Sequence, residues 1–87
     1  MTEYSVVLTD DAEDQLADIW ISAAHHRREV TAAQHSIDLR LARDPFEKAR
    51  HVSEGLYCTA EPPLVVYFAV DQSKRVVEIT DIYLRSR

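Results

Sequence analysis

From Leu64 to Val70 the chain runs Leu-Val-Val-Tyr-Phe-Ala-Val, an apolar stretch of β-branched and aromatic residues that suits a strand covered on both faces. Asp71-Gln72-Ser73-Lys74 follows as a polar reversal of hairpin length, and Val76-Val77-Glu78-Ile79-Thr80-Asp81-Ile82-Tyr83 returns as a second strand. A β-hairpin with a central strand is therefore the frame onto which everything earlier must pack. Side chains alternate along a strand, so Val77 and Ile79 share one face and Ile82 falls on the other. Turning Ile82 inward with them requires a bulge near Thr80-Asp81, and such a bend re-aims Tyr83 and Arg85.

The chain has 87 residues. That length makes one domain, residues 1–87, burying about 60–65% of its unfolded surface, so a single sheet with one helical layer is the expected limit. Apolar residues at 46% and charged residues at 29% are ordinary for a soluble globular protein, and one Gly with three Pro leaves no room for a flexible linker. There is no 18-residue apolar run and no basic-then-apolar leader, and the lone Cys58 cannot form an internal disulfide. A cytoplasmic protein without a membrane partner is expected. The net charge of −5 argues against a surface that is basic all over, as non-specific nucleic-acid binders carry. The charge is uneven: residues 1–18 hold six acids and no base, whereas 25–51 hold six bases, all four histidines and four acids.

In chain order, Tyr4, Val6 and Leu8 alternate with Ser5, Val7 and Thr9 as a short strand. Thr9 or Asp10 then caps a helix, with Glu13 completing a capping box after Asp10 and the surrounding acids favoured by the helix dipole. Ala12, Leu16, Ile19, Trp20 and Ala23 form one apolar stripe, which makes Trp20 the expected anchor of the core. His25-His26-Arg27-Arg28 is expected in the last turn of that helix, where cations complement its negative end. Thr31 and Gln34 offer a second capping pair, Ala33, Ile37 and Leu41 a second stripe, and Asp44-Pro45 a stop. Residues 46–54 are expected to form a loop tethered by Phe46 and Val52. Gly55 begins another strand, Leu56-Tyr57-Cys58-Thr59, turned at Glu61-Pro62-Pro63 into the central one. The expected fold is α+β: an N-terminal strand, a helical hairpin, then a three-stranded antiparallel meander, with the helices on one face of a four-stranded sheet. The other face is left open, and an open half-apolar face on so small a protein marks a partner site.

Metal binding is disfavoured. His25, His26, His35 and His51 lack the spacing of a ligand set, and no Cys-x-x-Cys or His-x-x-x-His pair exists. No cofactor is implied either. Cys58 sits mid-strand among apolar neighbours, which suits a structural thiol rather than a nucleophile. What remains are basic and hydroxyl groups at the strand ends: Lys48, Arg50, His51, Tyr57, Tyr67, Tyr83, Arg85 and Arg87. Cleavage of RNA needs a base for the 2′-hydroxyl, cations for the developing phosphorane charge and an acid for the leaving oxygen. Arg50, His51, Tyr83 and Arg85 are the set available for that chemistry.

The runs Tyr4-Ser5-Val6-Val7-Leu8-Thr9, Asp11-Ala12-Glu13-Asp14-Gln15-Leu16, Asp44-Pro45-Phe46, Gly55-Leu56-Tyr57, Pro63-Leu64-Val65-Val66-Tyr67-Phe68 and Val76-Val77-Glu78-Ile79 together span most of the chain. In order and spacing they resemble the RelE/ParE superfamily of toxins from bacterial type II toxin–antitoxin modules, known also from plasmid stabilisation. The resemblance implies a helical hairpin on an antiparallel sheet, and an antitoxin partner that wraps the toxin. RelE-like members, which cleave messenger RNA on the ribosome, typically carry arginines where this chain has Cys58, Ala60 and Val65. Arg85 matches a basic residue that follows their last strand. ParE-like members lack that catalytic set and resemble inhibitors of DNA gyrase. The expectation is therefore a binding toxin rather than an enzyme, with Arg85 and Arg87 meeting the target. The alternatives are a ribosome-dependent endoribonuclease and a detoxified binding module of the same fold.

Overall fold

In the computed structural model, which describes residues 3–85, the hairpin is the centre of the sheet. The elements are β1 (Ser5–Leu8), α1 (Asp10–Ser22), α2 (Arg27–Arg43), β2 (Arg50–Ser53), β3 (Leu56–Glu61), β4 (Leu64–Asp71) and β5 (Val76–Leu84). They form a five-stranded sheet in the order β1-β5-β4-β3-β2, with β1 parallel to β5 and every other pair antiparallel. Leu64, Val66 and Phe68 of β4 and Val77, Ile79 and Ile82 of β5 all turn toward the helices and are buried. The bulge that this requires is present: Phe68 pairs with Ile79 and Tyr67 with Asp81, so Thr80 is the extra residue. It brings Ile82, 4% exposed, back into the core.

The sheet has five strands rather than the expected four. The added strand is β2, in the stretch expected as a loop, and all four of its residues are exposed. Backbone pairing with β3 on one side makes it a strand, with no apolar face needed. Val52, expected as a tether, is 43% exposed, whereas Phe46 does anchor the segment by meeting Tyr57 edge-on at 5.3 Å. Gly55 lies in the turn before β3, at φ 75°, which a residue without Cβ adopts freely.

Thr9 is the cap of α1, its hydroxyl oxygen accepting from the Ala12 amide at 3.1 Å. Trp20, expected as the core anchor, is instead 45% exposed. At about 100° per residue, Ala12, Leu16, Ile19 and Ala23 fall within an arc of about 60°, and Trp20 lies about 40° beyond its edge. It is covered by Arg27, whose guanidinium stands 4.0 Å from the indole centroid. The helix boundary also differs from expectation. His25 and His26 belong to the connection, and Arg27 and Arg28 open α2, four residues before Thr31. Neither Thr31 nor Gln34 caps that helix, since its cap position is His26 without a side-chain bond. Arg27 still serves the end of α1 from its new position, donating Nε–H to the Trp20 carbonyl at 2.9 Å. As expected, α2 stops at Asp44 before a buried Pro45.

A buried ionic network, unmarked in the sequence, ties α2 to β3. Arg40, with 10% of its side chain exposed, donates to Glu61 Oε1 at 2.9 Å, to Thr59 Oγ1 at 2.8 Å and to the Ala60 carbonyl at 3.3 Å. Thr59 passes its own proton on to the Lys48 carbonyl at 3.2 Å, so every group in the chain is satisfied.

Asp38 is the counter-example. One carboxylate oxygen is buried without a hydrogen-bond partner among the described residues, beside a crevice of about 10 Å³ lined by Leu8, Ile37, Leu64, Val66, Ile79 and Ile82. Burial pushes the Asp38 carboxyl above its ordinary range, with His35 opposing that shift. A raised carboxyl pKa means that the native state holds the proton more tightly than the unfolded chain. The stability this contributes is present at low pH and lost as pH rises through the native pKa. Asp38→Asn is therefore expected to be more stable than the wild type near pH 7, with the difference shrinking toward about pH 4. Urea denaturation at the two pH values checks it, and a variant less stable at neutral pH reverses the assignment.

Candidate target-binding face

The helices cover one side of the sheet. On the other side the alternation of β3 and β4 presents Cys58 and Ala60 opposite Tyr67 and Val65, and β5 adds Tyr83. The three positions where the resemblance implies arginines thus point into the open face, and they carry a thiol, a methyl and an isopropyl group. Tyr67 and Tyr83 meet edge to face at 5.8 Å, and Tyr83 is half exposed. Val7 of β1 stands on this side at 43% exposure. The face is chiefly apolar and aromatic, with hydroxyls at its centre.

The four residues suited to RNA cleavage are divided by this geometry. Arg50 pairs with Cys58 and lies on the open side, its Nη2 3.8 Å from the Cys58 sulfur. His51 pairs with Tyr57 and lies on the helix side, its ring meeting that of Tyr57 at 5.4 Å. Tyr57 in turn stacks on buried Phe68 at 5.9 Å. Tyr83 and Arg85 follow the open-face parity at the far end of β5, where the Arg85 amide donates to the Pro63 carbonyl at 2.6 Å. Arg50 and Arg85 are three strand spacings and about four residues apart, about 20 Å between Cα atoms. Two cations so placed do not meet on one phosphate. Arg87 lies outside the described residues. Lys48 is exposed before β2, in a groove that also holds Arg43, Glu47 and Glu61. No cluster of three or more His, Cys, Asp or Glu side chains suited to a metal ion occurs among the described residues.

A second surface, which includes Leu16 and Trp20 of the stripe expected in the core, lies over the two helices. Leu16, Ala17, Trp20 and Ile21 of α1 face Thr31 and Gln34 of α2 across a shallow groove of about 710 Å³. Ile21 is 66% exposed. The signal was in the sequence: Ile21 falls outside the apolar stripe, and an isoleucine beside an edge tryptophan widens the apolar surface beyond what one sheet can cover. No helix of the described residues is long and apolar enough to cross a membrane.

No family model matches the chain, and no curated protein matches its sequence. Solved structures do match. A chain of the toxin–antitoxin complex RelBE2 from Mycobacterium tuberculosis superposes with a TM-score of 0.83 at 18% identity, over 100% of this chain and 97% of that one. A chain of the archaeal RelE–RelB complex from Pyrococcus horikoshii OT3 gives a TM-score of 0.59 at 19% identity, over 100% and 99%. At such identities the likeness is one of architecture, and it spans both molecules from end to end: the chain has the fold of these two chains from RelE–RelB-type complexes.

Proposed function

We propose that the chain is the toxin subunit of a type II toxin–antitoxin pair, held inactive by a cognate antitoxin, and that it acts in the cytoplasm by binding a protein target. The observation that carries the mode of action is the open sheet face, where Cys58, Ala60 and Val65 replace cations and the aromatic pair Tyr67–Tyr83 stands at the centre. A nuclease of this fold has to neutralise the charge of a phosphorane, and removal of even one such donor commonly costs about 10²–10³ in rate. An apolar, hydroxyl-bearing surface suits a protein instead, since Tyr supplies large contact area at low entropic cost. DNA gyrase is the target to test first, on the resemblance to ParE-like toxins, with Arg85 and Arg87 at the rim of the contact. That both solved neighbours come from toxin–antitoxin complexes supports the antitoxin partner.

The test is expression of the chain in a bacterium, following messenger RNA integrity and DNA breaks over the first minutes, with and without the product of the neighbouring gene. Growth arrest with intact messages and DNA-damage induction is expected, relieved by the neighbouring product, which should co-purify. Arg85→Ala with Arg87→Ala should weaken the arrest while leaving the melting temperature unchanged. Rapid cleavage of ribosome-bound messages, abolished by Arg50→Ala or His51→Ala, establishes the endoribonuclease instead. Absence of arrest establishes the detoxified binding module.

A further inference from the structure

β1 is shorter than the strand it pairs with. It accompanies β5 only from Val76 to Ile79, its last backbone bond being Thr9 N–H to the Ile79 carbonyl at 3.0 Å, and the chain then leaves the sheet as α1. Beyond the bulge, the edge of β5 is bare. Tyr83 and Arg85 direct their backbone groups at β4, as the Arg85 bond to Pro63 shows, so those of Ile82 and Leu84 point outward. The Ile82 amide has found a substitute for a neighbouring strand: Gln15 Oε1 accepts it at 2.7 Å, while Gln15 Nε2 donates to Asp81 Oδ1 at 3.3 Å. The Ile82 carbonyl and the Leu84 amide have no such partner among the described residues, and Leu84 is 42% exposed.

The wall of this edge is charged. α1 runs beside β5 in the same direction, with Thr9 touching Thr80 and Gln15 touching Ile82. Asp11 and Asp18 are four residues before and three after Gln15, so they share its face of the helix, and both are exposed. With Asp81 they give the edge a negative lining. Arg85 follows the opposite parity, onto the open face of the sheet.

We propose that the Ile82–Leu84 edge of β5 is a docking site for an extended basic segment of a partner protein, which adds to the sheet as a strand beside α1. Its backbone accepts from the Leu84 amide, donates to the Ile82 carbonyl, and takes over the Ile82 amide from Gln15. The strand geometry selects an extended peptide. Alternation then selects the side chains: lysines or arginines toward Asp11 and Asp18, apolar residues toward Tyr83. A site that prefers basic segments also gives a use to the acids concentrated in residues 1–18.

The experiment measures fluorescence anisotropy of the whole chain with two labelled peptides, one alternating lysine and valine, the other alternating glutamate and valine. The lysine peptide should bind, more weakly as salt rises, and the glutamate peptide should not. Leu84→Pro removes the outward amide at a position where an edge strand tolerates proline, and should lower affinity about tenfold. Asp11→Lys with Asp18→Lys should reverse the preference between the peptides. Independently of any variant, exchange of the Leu84 amide with solvent should slow when the lysine peptide is bound. Equal binding of both peptides, binding without protection of Leu84, or no binding at all overturns the proposal.

Discussion

Phe68→Ala is expected to lower the free energy of unfolding by about 3–5 kcal/mol, the range for large-to-small changes in a packed core. Phe68 is 0% exposed in the central strand, between Tyr57 on β3 and Ile79 on β5, and its ring lies 25° from parallel to that of Tyr57. The buried residues around it are aliphatic side chains from both helices and from β4 and β5, and none is large enough to fill the space a phenyl leaves. Trp20→Ala removes a bulkier ring, yet is expected to cost only about 1 kcal/mol, because that ring is 45% exposed and its partner is a solvent-facing guanidinium. Urea denaturation of the two variants side by side is the check. Equal losses would mean that α1 is rotated to carry the tryptophan into the core.

The contrast between those residues shows where the sequence could and could not be read. A continuous β-branched and aromatic run has few uses other than a central strand. The bulge was legible as well, because Ile82 had no other way to join Val77 and Ile79 indoors. The stripe does not by itself show which of its five residues is buried: a helix lying on a sheet buries a narrow arc and leaves the edge of the stripe, here Trp20, in water. β2 carried no signal, since Arg50-His51-Val52-Ser53 has neither alternation nor an apolar face and becomes a strand through backbone pairing alone. The start of α2 was hidden for a related reason. Its cap position holds a histidine without a side-chain bond, and the basic residues that suit the end of one helix are found opening the next.

The candidate face was legible in its residue types and not in its geometry. Arg50 and His51 are adjacent in sequence and therefore point to opposite sides of the sheet once that segment is a strand. As a loop, the same residues could have converged on one phosphate. The unexpected fifth strand thus separates the proposed catalytic groups, and it also leaves Cys58 beneath the Arg50 side chain on the open face.

The second large effect is expected at Arg40, and it should be asymmetric. The guanidinium is nearly buried while Glu61 keeps 36% of its side chain in water, so the two ends of this ion pair differ in what they lose when the partner goes. Glu61→Ala leaves a buried cation with only Thr59 and the Ala60 carbonyl to meet it, and is expected to cost about 2–3 kcal/mol, below the 3–5 of fully buried pairs because water reaches the site from the Glu61 side. Arg40→Met leaves a carboxylate that can turn to solvent, and the thioether chain fills most of the vacated space; about 1 kcal/mol is expected. Thr59 keeps its bond to the Lys48 carbonyl in either case. Arg40→Met combined with Glu61→Leu should recover most of the loss of Glu61→Ala, since no uncompensated charge remains and apolar replacements of buried pairs are often neutral. A double-mutant cycle by chemical denaturation measures the coupling. If Arg40→Met proves the costlier single change, the stability lies in the pairing itself, and α2 is held to β3 by attraction rather than by the need to shelter one cation.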